Sequence, residues 1–309
     1  MPVGGSMAPM PSDTVPAIPN RLREAFLRWK GGGRQGQEAM SWNRSTWQVT
    51  LPEHHDLLKS LPDRLDRTTV AARGAGAADG EAQAEQAFIA AMAWGYGPAG
   101  YGAFRTARVL RENPQAPGVL REAAQVLRRD GGATAFAWLR EHRLRFLGVA
   151  FATKYLYFCN GPDAQPALIL DRLVQRWLRR HADCQVRLDW RVGDYHRYLG
   201  MAYAWASELD VTPDDVEYLI FSDMLTDEPG ASPWAPRQSA VGAVAGPEDD
   251  DATAVLEAID DAAASFAALP DVSPADLEDF ERGIRQLRRI VLARAGRPIK
   301  ALGLVEYRS

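Results

Sequence analysis

The stretch "ATAFAWLREHRLRFLGVAFATKYLYFC" (residues 133–159) decides how this chain is read. Apolar residues recur three or four apart through "ATAFAWLREHR" (133–143), lose that spacing in "LRFLGVAF", and resume it in "ATKYLYFC". The pattern predicts helix, short turn, helix, with Gly148, Val149 and Ala150 at the turn. A hairpin of this kind can aim the backbone N–H groups of the turn and the second helix start at an anion without any side-chain charge. Arg140, Arg143 and Arg145 stand immediately before it.

One turn into the second helix sits Lys154, among Phe151, Tyr155, Leu156, Tyr157 and Phe158. The chain carries 32 Arg and only four Lys (Lys30, Lys59, Lys154 and Lys300). A lysine in an apolar run of an arginine-rich protein therefore reads as a choice. Burial beside apolar groups disfavours an ammonium and leaves a fraction as free amine. A free amine can attack carbon and form a Schiff base; a guanidinium cannot. The plainer reading is a stem lying on the core with its amine reaching water. Seventeen residues on, Asp171 follows the apolar run "PALIL" and opens or joins a helix, a setting that suits a carboxylate that must stay ionised. Amine and carboxylate together are the pair needed to displace a base from deoxyribose, the acid stabilising oxocarbenium-like charge and the amine capturing C1′.

Most of the remaining chain reads as helices separated by Gly and Pro. Candidate helices are 21–30, 81–94, 102–112, 119–130, 167–182, 193–209 and 212–225. Thr212 and Pro213 give the last a clear start. A further helix is expected over 273–296, opened by Ser273, Pro274 and Asp276 and closed by Gly296. "STWQVTL" (45–51) and "LGLVEY" (302–307) are the few strand candidates, both peripheral. The expected fold class is all-α for the most part, as two helical lobes. Residues 1–18 read as a flexible tail, 19–227 as the helical core, 228–252 as an acidic Pro/Gly-rich linker, and 253–309 as helices packing on that core.

Composition limits the function. Residues 101–200 carry 17 basic against 9 acidic side chains, while 201–272 carry 16 acidic and one basic, Arg237. The basic section could lie along a phosphate backbone or be a solvated surface balanced by the acidic one. Arg172, Arg176, Arg179 and Arg180 form a helix stripe open to the same two readings. No apolar run approaches the roughly 18–20 residues a membrane span needs. Two cysteines and five histidines without ligand spacing predict neither a disulfide framework nor a metal site, and a reducing, cytoplasmic setting is expected.

The hairpin with Lys154, followed by the Ala167–Asp171 run, resembles the core of helix-hairpin-helix DNA glycosylases, especially the 8-oxoguanine DNA glycosylase branch. In that branch an L-P-G-V-G hairpin precedes a catalytic Lys, and an Asp opens a following helix. Leu147, Gly148, Val149 and Ala150 take the hairpin places here, Lys154 the nucleophile's and Asp171 the acid's. The likeness extends more loosely over about 85–225. This chain departs from the pattern at Ala150, where the second Gly would stand, and in the "LIL" before Asp171.

The resemblance implies two lobes with a cleft, duplex DNA carrying a modified base as partner, extrusion of the target nucleotide, and base excision with strand nicking. It implies no metal, no cofactor and no obligate protein partner. Backbone contacts are expected at Gly148, Val149, Ala150, Thr153 and Arg145, and base-pocket contacts at Trp94, Tyr96, Tyr101 and Tyr157. The aromatic residues could equally be plain packing. Two other readings stand beside repair: a defence glycosylase removing hypermodified bases from phage DNA, and a non-catalytic helical DNA-binding protein.

Overall fold

The structure, a computed structural model, describes residues 16–98, 101–162, 165–227, 259 and 274–294. Among the described residues there are thirteen α-helices and one two-stranded ladder. The chain runs α1 (Asn20–Gly31), β1 (Met40–Ser41), α2 (Arg44–Thr50), α3 (His55–Ser60), β2 (Arg64–Leu65) and α4 (Arg67–Gly74). It continues with α5 (Glu81–Tyr96), α6 (Gly102–Glu112), α7 (Ala116–Asp130), α8 (Gly132–Glu141) and α9 (Val149–Phe158). Last come α10 (Arg172–His181), α11 (Val192–Leu209), α12 (Pro213–Asp227) and α13 (Pro274–Arg294). The strands pair antiparallel, Met40 opposite Leu65 and Ser41 opposite Arg64. The mostly helical class expected from the sequence is what the chain adopts.

The helices fall into two groups. α5 is apolar on every side and lies at the centre of the first, packed by α4, α6, α7 and α9. α12 is the hub of the second, with α1, α10 and α11 against it, and α8 bridges by touching both α9 and α11. α10 shows how sequence becomes packing: Leu173, Val174, Trp177 and Leu178 share one buried stripe, and the arginines take the other face. α1 is tied to the second group by charge. Arg21 Nε and Arg28 Nη2 each donate to the buried Asp223 carboxylate at 2.7 Å, and the Trp177 indole donates to it at 3.0 Å. Thr212 and Asp215 cap α12 reciprocally, each side chain accepting from the other's backbone N–H.

Three expectations are corrected. Residues 45–50 are helical, not a strand, with Leu51 just past the helix end: the Asn43 side chain accepts from Thr46 N, and the buried residues are Trp47 and Leu51, four apart, with Val49 exposed. The helix expected from 167 starts only at 172, because the backbone groups of residues 167–170 bond side chains of other elements and Asp171 caps the helix. The core begins before residue 19, since Ile18 is buried and Trp205 donates to Pro16 O at 2.9 Å. The acidic linker, the 302–307 strand and the ends of the 273–296 helix lie outside the described residues. Among the described residues no helix is long and apolar enough to cross a membrane.

α4 meets the C-terminal end of α9 at a glycine. A Cβ at Gly74 would lie 1.8 Å from the Phe158 carbonyl oxygen, whereas one at Gly148 would meet nothing within 4 Å. Gly74→Ala is therefore expected to lower stability in urea unfolding by about 3 kcal/mol or more, and Gly148→Ala by less than about 1 kcal/mol.

Candidate active site

The site is built on a stretch of backbone that belongs to neither helix nor sheet. Residues 166–170 run through the interior, and buried carbonyl and N–H groups there need partners. Side chains supply them. The Asn160 amide bonds both Ala167 N (2.7 Å) and Ala167 O (2.9 Å). The Tyr195 hydroxyl accepts from Leu168 N and donates to Leu168 O. Tyr198 donates to Ile169 O at 3.0 Å, and Tyr203 donates to Pro166 O. Thr153 Oγ1 accepts from Leu170 N at 3.0 Å while donating to Val149 O. Each such bond contributes about 1 kcal/mol, and each one lost strands a buried polar group at about 1–3 kcal/mol.

This segment delivers Asp171 to the start of α10. Its Oδ1 accepts from Leu173 N (3.0 Å) and Val174 N (3.2 Å), capping the helix. Its Oδ2 lies 2.8 Å from Lys154 Nζ. Lys154 is 6% exposed, and its amine sits 5.5 Å from the Phe151 ring centroid. Room for its stem comes from α5: a Cβ at Gly95 would stand 2.9 Å from Phe151 Cε1 and 3.1 Å from Lys154 Cδ. Burial alone would raise the Asp171 carboxyl, but the Lys154 charge and the two amides outweigh it and hold the group below the usual carboxylate range. The pair is an ionised carboxylate gripping an amine at the junction of the two helix groups.

The hairpin is α8, a turn and α9, with Gly148 at the cap of α9. Gly148 adopts an ordinary extended backbone, and the left-handed residue is Phe146, at φ +68°. That conformation is strained for an aromatic residue, and the neighbours secure it. The Arg108 guanidinium lies 3.7 Å from the Phe146 ring centroid, and Arg105 donates to Phe146 O. The buried Asn113 clamps the turn, its side chain accepting from Arg145 N and donating to Arg145 O. The first-turn amides at Val149 and Ala150 are of the kind a helix leaves without partners inside itself. The Arg145 side chain is exposed and pairs with Glu112 at 3.6 Å.

Two of the residues expected to meet DNA have buried side chains. Thr153 is fully buried and bonded to Leu170, so its side chain faces the interior. Trp94 is a core residue, edge-on to Phe158 at 5.0 Å. The other aromatics divide. Tyr96 stacks on Phe151 at 4.1 Å and meets Tyr101 edge-on at 5.4 Å, which places a ring layer beside Lys154 with Tyr101 half exposed. Tyr157 turns its hydroxyl to Arg67.

Arg67 is a residue that no sequence signal singled out. Its Nη1 donates to Glu217 Oε2 (2.6 Å), Asp214 Oδ1 (3.0 Å) and the Tyr157 hydroxyl (2.9 Å), and its Nε donates to Gln37. The guanidinium lies near the rings of Tyr157, Trp94 and Tyr218. Burial pushes the Glu217 carboxyl up to about 7 against the pull of Arg67, and the charges of Asp214 and Asp171 add to the rise. Both cysteines are free and buried, and the described residues contain no group of three or more His, Cys, Asp or Glu side chains placed to hold a metal.

Comparison with known proteins matches residues 33–221 to a family described as "Putative 8-oxoguanine DNA glycosylase OGG-like protein". No curated protein and no solved structure matches the chain. The matched range takes in α2 through most of α12, and with them the hairpin, Lys154 and Asp171. The match spans more than half of the chain, and the chain belongs to this family of 8-oxoguanine DNA glycosylase OGG-like proteins.

Proposed function

We propose that the chain is a DNA glycosylase with lyase activity that extrudes a modified nucleotide from duplex DNA and excises its base, with Lys154 as nucleophile and Asp171 as the stabilising carboxylate. The observation that carries this reading is the 2.8 Å contact between Lys154 Nζ and Asp171 Oδ2. An amine and a carboxylate meet where two helix groups join, beside a hairpin whose half-buried Gly148 faces open space that suits a phosphate.

In this mechanism the bond from C1′ to the base breaks with its electrons on the base nitrogen. Lys154 gives up a proton, which leaves on the departing base, and the amine lone pair forms the new C1′–N bond. Asp171 stabilises positive charge at the sugar as that bond breaks. Opening of the C1′–O4′ bond then yields an imine. Loss of a C2′ proton with departure of the 3′ phosphate nicks the strand. Backbone amides at Gly148, Val149 and Ala150 would anchor a phosphate, with Arg145 nearby. Tyr96 and Tyr101 offer a ring layer against which an extruded base could stack.

Borohydride should trap a covalent adduct between the wild-type chain and a damaged duplex, while Lys154→Gln yields neither adduct nor free base. Full excision by Lys154→Gln would remove the assignment. Duplex binding without any adduct would favour a non-catalytic DNA-binding protein. The base released from a panel of oxidised, alkylated and hypermodified phage DNA identifies the substrate and separates repair from defence.

Asp171→Asn keeps a side chain able to cap α10 but leaves the Lys154 ammonium without its anion. Single-turnover excision should fall by about 10²–10³-fold. Stability at pH 7 should drop by about 3–5 kcal/mol, the scale of a broken buried pair. Because the folded carboxyl is held low, its contribution is present above the unfolded value of about 4 and is lost as pH falls through the folded one. Urea unfolding of both proteins from pH 7 to pH 3 should show a gap that is flat down to about pH 4 and narrows below it.

A further inference from the structure

We propose that Arg67 is a positioning residue for the Lys154–Asp171 pair, tying the helix group that carries the lysine to the group that carries the aspartate. The inference rests on the catalytic reading of that pair. Arg67 opens α4, in the first group, and Asp66 fixes that helix start by accepting from Thr69 N at 2.6 Å. Its carboxylate partners, Asp214 and Glu217, both belong to α12, the hub of the second group. Its third partner, Tyr157, lies on α9 one turn beyond Lys154. Two charged bridges therefore cross the same boundary side by side: Lys154 to Asp171, and Arg67 to Glu217 and Asp214. A nucleotide entering between the groups must strain the first bridge, and the second limits how far α9 and α12 separate.

The chemistry suits a directional tie better than a simple filler. Apolar side chains of similar volume would fill this space without the desolvation cost of a buried guanidinium and carboxylate. A forked guanidinium fixes several partners in one geometry. Glu217 also makes the tie sensitive to acidity. The groups whose charges bear on it are Arg67 on α4, Asp214 on its own helix, Asp171 at the start of α10, Tyr157 on α9, and Tyr195 and Tyr198 on α11. Above its raised value Glu217 is an anion and grips Arg67 by a charge-assisted bond. Below it the carboxyl is neutral and the grip weakens.

The test uses the full chain with a duplex carrying a single abasic site, a probe that needs no knowledge of the base removed. Wild type, Arg67→Lys, Glu217→Gln and Lys154→Gln are compared by borohydride trapping at saturating protein, from pH 5.5 to 8.5. Arg67→Lys and Glu217→Gln should trap about tenfold or more slowly at unchanged duplex affinity, the scale expected of a misplaced reacting group. The wild-type profile should show an inflection near pH 7 that Glu217→Gln lacks. Hydrogen exchange at Leu173 and Val174, the amides that hold Asp171, should quicken in both variants, while exchange in α7 stays unchanged. If Arg67→Lys folds poorly, the near-isosteric Glu217→Gln decides alone. Wild-type rate, pH profile and exchange in that variant overturn the positioning role, provided Lys154→Gln is inert. Trapping by Lys154→Gln, or no adduct with wild type, instead removes the catalytic reading and this inference with it.

Discussion

A run of backbone buried outside any helix or sheet is the constraint around which this protein is arranged. Residues 166–170 cross the interior, and the polypeptide there cannot satisfy its own polar groups. Helices solve that problem internally and sheets solve it with a neighbouring strand; this segment does neither. It borrows a threonine from α9, three tyrosines from α11 and an asparagine from the loop after α9. Because all but the asparagine are fixed in helices, the segment is fixed as well, and Asp171 at its end inherits that precision. The position of the carboxylate is thus set by side chains that never touch it.

The same logic explains why Lys154 can be buried without being lost. α9 is apolar around its circumference and would accept a Leu at that point with less desolvation. What makes the ammonium tolerable is an ionised partner at 2.8 Å whose second oxygen is occupied by helix amides, together with a glycine on α5 that leaves space for the stem. Carboxylate, cap and glycine act together, and each loses its purpose without the other two. A buried pair of this sort contributes little net stability, so its value lies in geometry.

The sequence made the helices legible because their apolar residues repeat at the helical period, and it made Lys154 legible because lysine is scarce here. Asp171 followed from its place after an apolar run. Other features depend on partners far along the chain and carry no local mark. Thr153 looks like any helix threonine until Leu170 is folded against it. Trp47, Val49 and Leu51 alternate like a strand, yet the Asn43 cap and the burial of Trp47 and Leu51 make the segment helical. Arg67 finds its acids some 150 residues later. The turn residue under strain is Phe146, not Gly148, because neighbouring arginines compensate a conformation that glycine would accept freely.

The attachment of α1 to α12 has a consequence for how the chain is made. Arg21 and Asp223 are 202 positions apart. At the pace of synthesis, on the order of 5–20 residues per second, α1 waits roughly 10–40 seconds for the carboxylate that secures it. Until then Arg21, Arg28 and the apolar face of α1 remain without these partners, while the first helix group, complete at the end of α9, can already assemble. α1 is made well ahead of the carboxylate that holds it and is among the last of the described helices to dock.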